Sequence, residues 1–254
     1  MLRARFASAV ALLFFAGALQ AQKQSQNKAG KEPAPEEIIK AFTAKETQFL
    51  EAWNQYYYRQ VASVKVLTVD GAPSNEAMTL IFEVVFKDDG SRDVRLIERT
   101  GRLRSVMWTP DDQDVITNYQ PFTLTTKDLP LYELTYEGKE RVDELDTYVF
   151  SVKPRDIKDD SFYFQGRIWV DDLDLQIVRT VGKVVSKKQE DPYVQFPEFE
   201  TIRQLVDGKY WFPVWSHADT KLDFPDRRVQ VEETITYEGF RQFKSSVNVK
   251  PIKK

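Results

Sequence analysis

From about residue 61 onward apolar side chains recur at every second position, and that period commits most of the chain to strands, whose successive side chains point to opposite faces. Met78, Leu80, Phe82, Val84 and Phe86 alternate with Thr79, Glu83 and Lys87. Asp88-Asp89-Gly90 then offers a hairpin turn into a strand carrying Val94 and Leu96. Phe162, Phe164, Ile168 and Val170 share one face of a later strand, and Gln165 and Arg167 share the other. Near the end Val229, Val231, Ile235 and Tyr237 stand opposite Gln230, Glu232, Thr234 and Glu238. Turn signals fall at Asp70-Gly71, Asp207-Gly208 and Pro225-Asp226. About nine or ten strands joined by short turns predict a mainly antiparallel sheet with one polar face.

Ahead of the strands the period is helical. Pro35, Glu36 and Glu37 suit a helix start, with proline in the first turn and acids at the positive end of the dipole. Ile38, Ile39, Phe42, Phe49, Trp53, Tyr56 and Tyr57 then recur at helical spacing, which predicts one amphipathic helix over residues 36–59. A large sheet with one apolar face has to cover it, and this helix is the available cover. The expected fold is therefore mainly β with an N-terminal helix: a strongly curved antiparallel sheet, an incomplete β-barrel, with the helix on its concave face. A short second helix is expected near 121–130, and the polar stretch 186–199 reads as a long loop. No internal repeat or linker divides residues 36–250, which read as a single domain.

Residues 1–21 have the layout of a secretory signal peptide: Arg3 and Arg5, an apolar run from Phe6 to Phe15, and cleavage options after Ala18 or Ala21. Residues 22–35, QKQSQNKAGKEPAP, read as a flexible tether. The expectation is a periplasmic protein with at most peripheral membrane contact, since no later stretch is long and apolar enough to span a bilayer. The chain has no cysteine, which removes thiolate metal sites and thiol nucleophiles. Its net charge of −3 falls to about −5 without the leader, a poor balance for binding nucleic acid.

Catalytic signals are scarce. The one histidine, His217, lies beside Ser216, and adjacent strand residues face opposite ways, so the two cannot share a site. One histidine cannot build a zinc centre. Asp111-Asp112-Gln113-Asp114 and Asp171-Asp172-Leu173-Asp174 lack the glycine and distal glutamate of a calcium loop, and the second reads as a turn between strands 162–170 and 176–185. Arg92, Arg95, Arg99, Arg102 and Arg104, interleaved with Asp93 and Glu98, read as a solvated strand face. No metal, no cofactor and no catalysis are expected. The aromatic share, 13%, is the informative number, because several runs have no polar face: Tyr56-Tyr57-Tyr58, Phe162-Tyr163-Phe164 and Tyr210-Trp211-Phe212-Pro213-Val214-Trp215. Strands apolar on both faces are covered on both sides or line a ligand cavity.

The stretches YELTYEGKERVDELDTYVFSVKPRD, FYFQGRIWVDDLDLQIVRTVGK, FETIRQLVDGKYWFPVWSHADT and VQVEETITYEGFRQF bring a family into view. Their order is a strand ending at Pro154, a Trp169-Val170-Asp171 strand running into a turn, Gly208-Lys209-Tyr210-Trp211-Phe212-Pro213, and a late strand with Tyr237 and Phe240. With the helix-first start it resembles the outer-membrane lipoprotein-sorting proteins of the LolA-like superfamily. The resemblance implies an open, helix-lidded half-barrel whose apolar cavity receives lipoprotein acyl chains, without catalysis or cofactor. On that expectation the protein is an exported, non-catalytic binding protein for an apolar or lipidated ligand, a carrier or sensor. The residues expected to line the cavity are Phe42, Phe49, Trp53, Phe82, Phe86, Phe162, Phe164, Ile168, Trp211 and Trp215. The rival expectation is an envelope protein-protein interaction or scaffold domain with a filled core and no ligand.

Overall fold

The computed structural model describes residues 32–68, 70–86 and 92–243. The expected leader, most of the tether and the Asp88-Asp89-Gly90 turn lie outside them. Two compact units are distinguished, Met1–Ile38 and Ile39–Lys254. The described part of the first opens helix α1 (Pro35–Trp53), with Glu36 and Glu37 in its first turn and the Ala34 amide donating to Glu37 Oε2 at 3.3 Å.

The helix stops at Trp53 rather than running to residue 59. The amides of Asn54 and Gln55 close it on Leu50 and Ala52, and the tyrosine run opens strand β1 (Tyr56–Leu67). Tyrosine prefers a pleated, half-buried surface, and the sheet supplies one by pairing Tyr56 with Gln242 and Tyr57 with Arg241. Strands β2 (Pro73–Phe86) and β3 (Arg92–Arg102) follow, then a long connector, residues 103–131. The connector holds helix α2 (Pro110–Asp114) and a π-helical turn, Val115–Tyr119, so the second helix lies earlier than 121–130. Thr109 is the reason: it accepts from the Asp112 amide while the Asp112 carboxylate accepts from the Thr109 amide, a capping box with proline at the first turn.

Seven strands complete the domain: β4 (Tyr132–Val142), β5 (Leu145–Pro154), β6 (Tyr163–Asp171), β7 (Ile177–Val185), β8 (Glu198–Val206), β9 (Tyr210–Asp223) and β10 (Arg228–Gln242). All ten strands form one antiparallel sheet in the order β3-β2-β1-β10-β9-β8-β7-β6-β5-β4, with β3 and β4 as unjoined edges. The open, mainly β architecture with an N-terminal helix is thus the one expected. The Asp171 carboxylate accepts from the amides of Leu173 and Asp174, which makes Asp171–Asp174 a turn. At Asp207 and Gly208, φ of 54° and 65° gives the paired left-handed conformation that tight hairpins require.

The helix lies across the strands. Phe42 meets Phe150 of β5, Phe49 meets Phe212 of β9, and Trp53 meets Tyr58 of β1. From Phe42 to Trp53 a helix advances about 17 Å. The same contacts cross six interstrand steps, about 29 Å in a flat sheet. Side-chain reach and the bending of the sheet round the helix make up the difference. Within this cup the inward positions of β1, β2 and β10 alternate as the sequence pattern requires: Ala62, Val64 and Val66, then Met78, Leu80, Phe82 and Val84, then Val229, Val231, Ile235 and Tyr237 are all buried. Phe212 sits at their hub, with ring centroids of Phe49, Trp53, Tyr56 and Phe240 within 6 Å. Phe212→Ala is expected to cost about 3–5 kcal/mol, the range for emptying a fully buried aromatic site. A urea midpoint within experimental error of the parent would contradict this account of the core.

Candidate functional site

The cup is not left empty. The connector runs over the sheet's concave side, and its apolar groups Ile116, Phe122 and Leu124 are buried. Phe122 stacks on Phe164 of β6 at 4.3 Å, and Tyr119 meets Phe162 edge-on at 5.5 Å. Polar side chains facing inward from the sheet hold the connector's backbone. Gln60 Nε2 donates to the Ile116 carbonyl at 2.7 Å, Thr201 Oγ1 to the Gln120 carbonyl at 3.0 Å, and Arg203 Nη2 to the Phe122 carbonyl. The π turn ends before Pro121, which has no N–H to offer, so Gln60 and Thr201 satisfy carbonyls at its end, and Arg203 does the same for Phe122 just beyond it.

Arg203 also makes the one ion pair of the described residues with both partners essentially inaccessible to solvent. Its Nη1 and Nη2 donate to Glu46 Oε1 and Oε2 at 3.0 and 3.1 Å, with side-chain exposures of 1% and 0%. Glu46 Oε1 takes a further bond from the Ile177 amide at 3.1 Å, and the guanidinium lies 4.6 Å from the Phe49 ring centroid. This bidentate pair joins α1 to β8 and β7.

At one side the filling is incomplete. A hollow of about 220 Å³ opens between the connector, the loop before β8 and the β9–β10 hairpin. Its wall is mainly apolar: Val64, Trp108, Tyr193, Phe196, Leu222 and Phe224 are among its residues. Glu233 also lines it, on β10 between the inward positions Val231 and Ile235, and only 5% of that residue is exposed. Gln120 Nε2 donates to Glu233 Oε1, and no protein donor is seen at the second oxygen among the described residues. Burial pushes the Glu233 carboxyl up from 4.5 to about 7, against the lowering effect of the Gln120 bond, with nearby Asp112 adding to the rise. Asp112, which lines the same hollow, is also raised by burial despite its bonds to Thr109.

The aromatic residues expected to line a cavity fall into two groups. Phe42, Phe49, Phe82, Phe164 and Ile168 are fully buried, and Trp53 and Phe162 nearly so, all packed against other side chains. Phe162 comes nearest the hollow, since its ring meets Phe196 of the wall edge-on at 5.5 Å. Phe86 stacks on Phe243 at 4.6 Å towards the end of β2. Trp211 and Trp215 alternate away from buried Phe212 and Ser216, and so lie on the opposite face of the sheet. There Trp211 Nε1 donates to Asp174 at 2.9 Å and Trp215 stacks on His217 at 5.3 Å. Ser216 is buried against Thr201, so Ser216 and His217 do face opposite ways. Among the described residues no group of three or more His, Cys, Asp or Glu side chains is placed to hold a metal ion, and no helix is long and apolar enough to cross a membrane.

Sequence reasoning missed the polar interior. Glu46 interrupts the apolar stripe Phe42, Phe49, Trp53, Gln60 stands at an inward position between Tyr58 and Ala62, and Glu233 fills the gap between Val231 and Ile235. In each case the visible signal was a polar residue where the period calls for an apolar one. Arg203 carried no such signal, because the sequence of β8, EFETIRQLV, has no apolar alternation, although the strand buries Phe199, Thr201 and Arg203 in turn.

No family model and no curated protein matches the sequence. Solved structures do resemble it. A DUF1329 family protein from Desulfovibrio piger is 16% identical, with 84% of this chain and 95% of that one covered and a TM-score of 0.38. A putative outer membrane lipoprotein-sorting protein domain from Vibrio parahaemolyticus is 11% identical over 84% and 93%, with a TM-score of 0.40. A LolA superfamily protein from Nitrosomonas europaea is 11% identical over 79% and 94%, with a TM-score of 0.33. These are likenesses of outline, and the functional reading rests on the chain's own geometry.

Two outcomes follow from the site. Arg203→Met should destabilise the protein by about 3–5 kcal/mol, because it strands the Glu46 carboxylate in an apolar interior. Pairing it with Glu46→Leu should restore most of that loss in denaturant unfolding. Glu233 has a folded pKa above its unfolded one, so its contribution is full below pH 4.5 and is lost as pH rises through about 7. Stability should fall between pH 5 and 8 by up to roughly 3 kcal/mol from this group. Glu233→Gln should flatten that slope, and an unchanged slope would show that Glu233 does not titrate in this window.

Proposed function

We propose that this is an exported, periplasmic, non-catalytic binding protein for an apolar or lipid-bearing ligand, a carrier or a sensor, with its entrance at the hollow beside Trp108, Tyr193 and Phe224. The observation that carries the reading is the hollow itself: a mainly apolar recess with a few convergent polar groups, which is the usual make-up of a small-molecule site. At about 220 Å³ it falls below the roughly 300–1,000 Å³ of sites that enclose a whole ligand. It therefore seats one ring or a short length of chain in the form described.

A longer acyl chain needs the connector to move. Its displacement would uncover Phe162 and Phe164, now covered by Tyr119 and Phe122, and would extend the recess along the inner face towards Phe82, Ile168 and the helix residues Phe42, Phe49 and Trp53. The connector's own rings then act as a stand-in for the guest. Each methylene transferred from water is worth about 0.8 kcal/mol. A chain of about a dozen could thus offset the loss of the connector's contacts and the cost of association.

The neutral probe N-phenyl-1-naphthylamine tests this directly. It should bind saturably, with enhanced fluorescence, and dodecanol should displace it. Trp108→Ala and Phe224→Ala should each weaken binding by about tenfold, the loss of roughly half the burial energy of one apolar side chain. Absence of saturable binding, together with no lipid in solvent extracts of the purified protein, would sink the proposal.

A further inference from the structure

The hollow is apolar in its walls and acidic in its polar groups, and that combination selects a ligand class. Four acids line it, Asp111, Asp112, Asp191 and Glu233, against one cation, Arg227. That cation is engaged elsewhere: Arg227 donates to Asp226 at 2.6 Å and to the Ser105 carbonyl at 3.2 Å, and its guanidinium lies over the Phe224 ring. Asp111 is partly neutralised by Lys188, whose ammonium is 2.9 Å away. Asp112 is spent on the cap at Thr109. Glu233 differs from all of these. It is more than nine-tenths buried, lines the recess, and shares one oxygen with the Gln120 amide while the other has no protein donor among the described residues.

A carboxyl left this way in an apolar wall is costly unless something donates to it. An anionic amphiphile makes matters worse, because its head group would meet Glu233 and Asp112 with like charge. A cationic head meets both with opposite charge and brings the missing hydrogen-bond donors. We propose that the recess is a site for amphiphiles with a primary ammonium head, the alkyl part lying against Trp108, Phe196 and Leu222 and the nitrogen donating to Glu233. This rests on the reading of the recess as an apolar ligand site and adds the head-group class.

The test is calorimetric titration of the intact protein with dodecylammonium, dodecanol and dodecanoate at about pH 8.5, where Glu233 has given up its proton, and below their micelle concentrations. The amine should bind at least about tenfold tighter than the carboxylate, with the alcohol between, since a charge-assisted bond to a buried carboxylate is worth that factor. Glu233→Gln, which keeps the shape and can still accept from Gln120, should bring amine and alcohol to within about threefold while leaving the alcohol unchanged. Should that variant fail to fold, Asp112→Asn removes the second acid and should narrow the same gap. Equal binding of all three chains, or tightest binding of the carboxylate, overturns the head-group assignment and leaves the apolar site standing. If none of the three binds, the apolar site itself falls.

Discussion

The bidentate pair between Glu46 and Arg203 is the contact on which the interior is organised. Apolar packing of a helix on a sheet is tolerant of sliding, since one Phe or Leu can replace another against the same surface. A buried carboxylate and guanidinium are not tolerant. Moving α1 by one turn would leave both charges unpaired in an apolar interior, at several kcal/mol each. The pair adds little net stability over a well-packed apolar equivalent, but it fixes which helical turn faces β8. From that turn the other contacts follow: Phe42 meets β5, Phe49 meets β9, and the Ile177 amide of β7 finds its acceptor.

The same arginine reaches the connector through the Phe122 carbonyl, so one side chain ties together the helix, the sheet and the segment that fills the cup. Gln60 and Thr201 repeat the device at Ile116 and Gln120. Three inward polar residues thus hold three carbonyls of a segment with little regular structure of its own, while its rings rest on Phe162 and Phe164. Such a segment is held by few directional bonds and much interchangeable apolar contact. On the proposed reading, that balance lets the segment stay put when the cup is otherwise vacant and give way to a guest of similar surface. Glu233 sits where the polar chain ends and the hollow begins, bonded to Gln120, the residue whose carbonyl Thr201 holds.

Most of the fold was legible because it depends on period and turns. Alternation in residues 78–86 and 229–237 set the inward faces of β2 and β10, and Asp207-Gly208 and Pro225-Asp226 marked hairpins that the sheet does form. The helix end was not legible, because Tyr56 and Tyr57 fit both the helical period and a strand, and only pairing with β10 decides between them. The second helix was missed although Thr109-Pro110-Asp111-Asp112 carries a capping signature, since aspartate in place of glutamate also reads as a turn. The candidate site was the least legible part. Hydrophobicity put Phe42, Phe82 and Phe164 among the expected lining residues, yet residues of that kind fill a core whether or not a ligand is bound. Trp211 and Trp215 were equally apolar and face the other way, a fact that follows only once the inward position of Phe212 is known.

The edges of the sheet bear on where a partner can act. An open sheet leaves two rows of unpaired backbone groups, which invite strand addition or aggregation unless they are blunted. Here β3 carries Arg95, Glu98, Arg99 and Arg102, all exposed, and β4 carries Glu133, Glu137, Lys139, Glu140 and Arg141. Several of the β4 charges point across to neighbouring strands, as Glu133 does to Lys153 at 3.3 Å and Glu137 to Arg167 at 2.6 Å. An added strand would have to dehydrate these groups, with the exposed Leu96 and Ile97 of β3 as the apolar surface gained in return. The edges are therefore blunted by charge, β4 more fully than β3, and the recess adds an apolar wall with one carboxylate oxygen of Glu233 that no donor among the described residues meets. On the proposed reading, a ligand therefore enters through the recess, where apolar walls and a buried carboxyl meet, rather than adding along the charged rim.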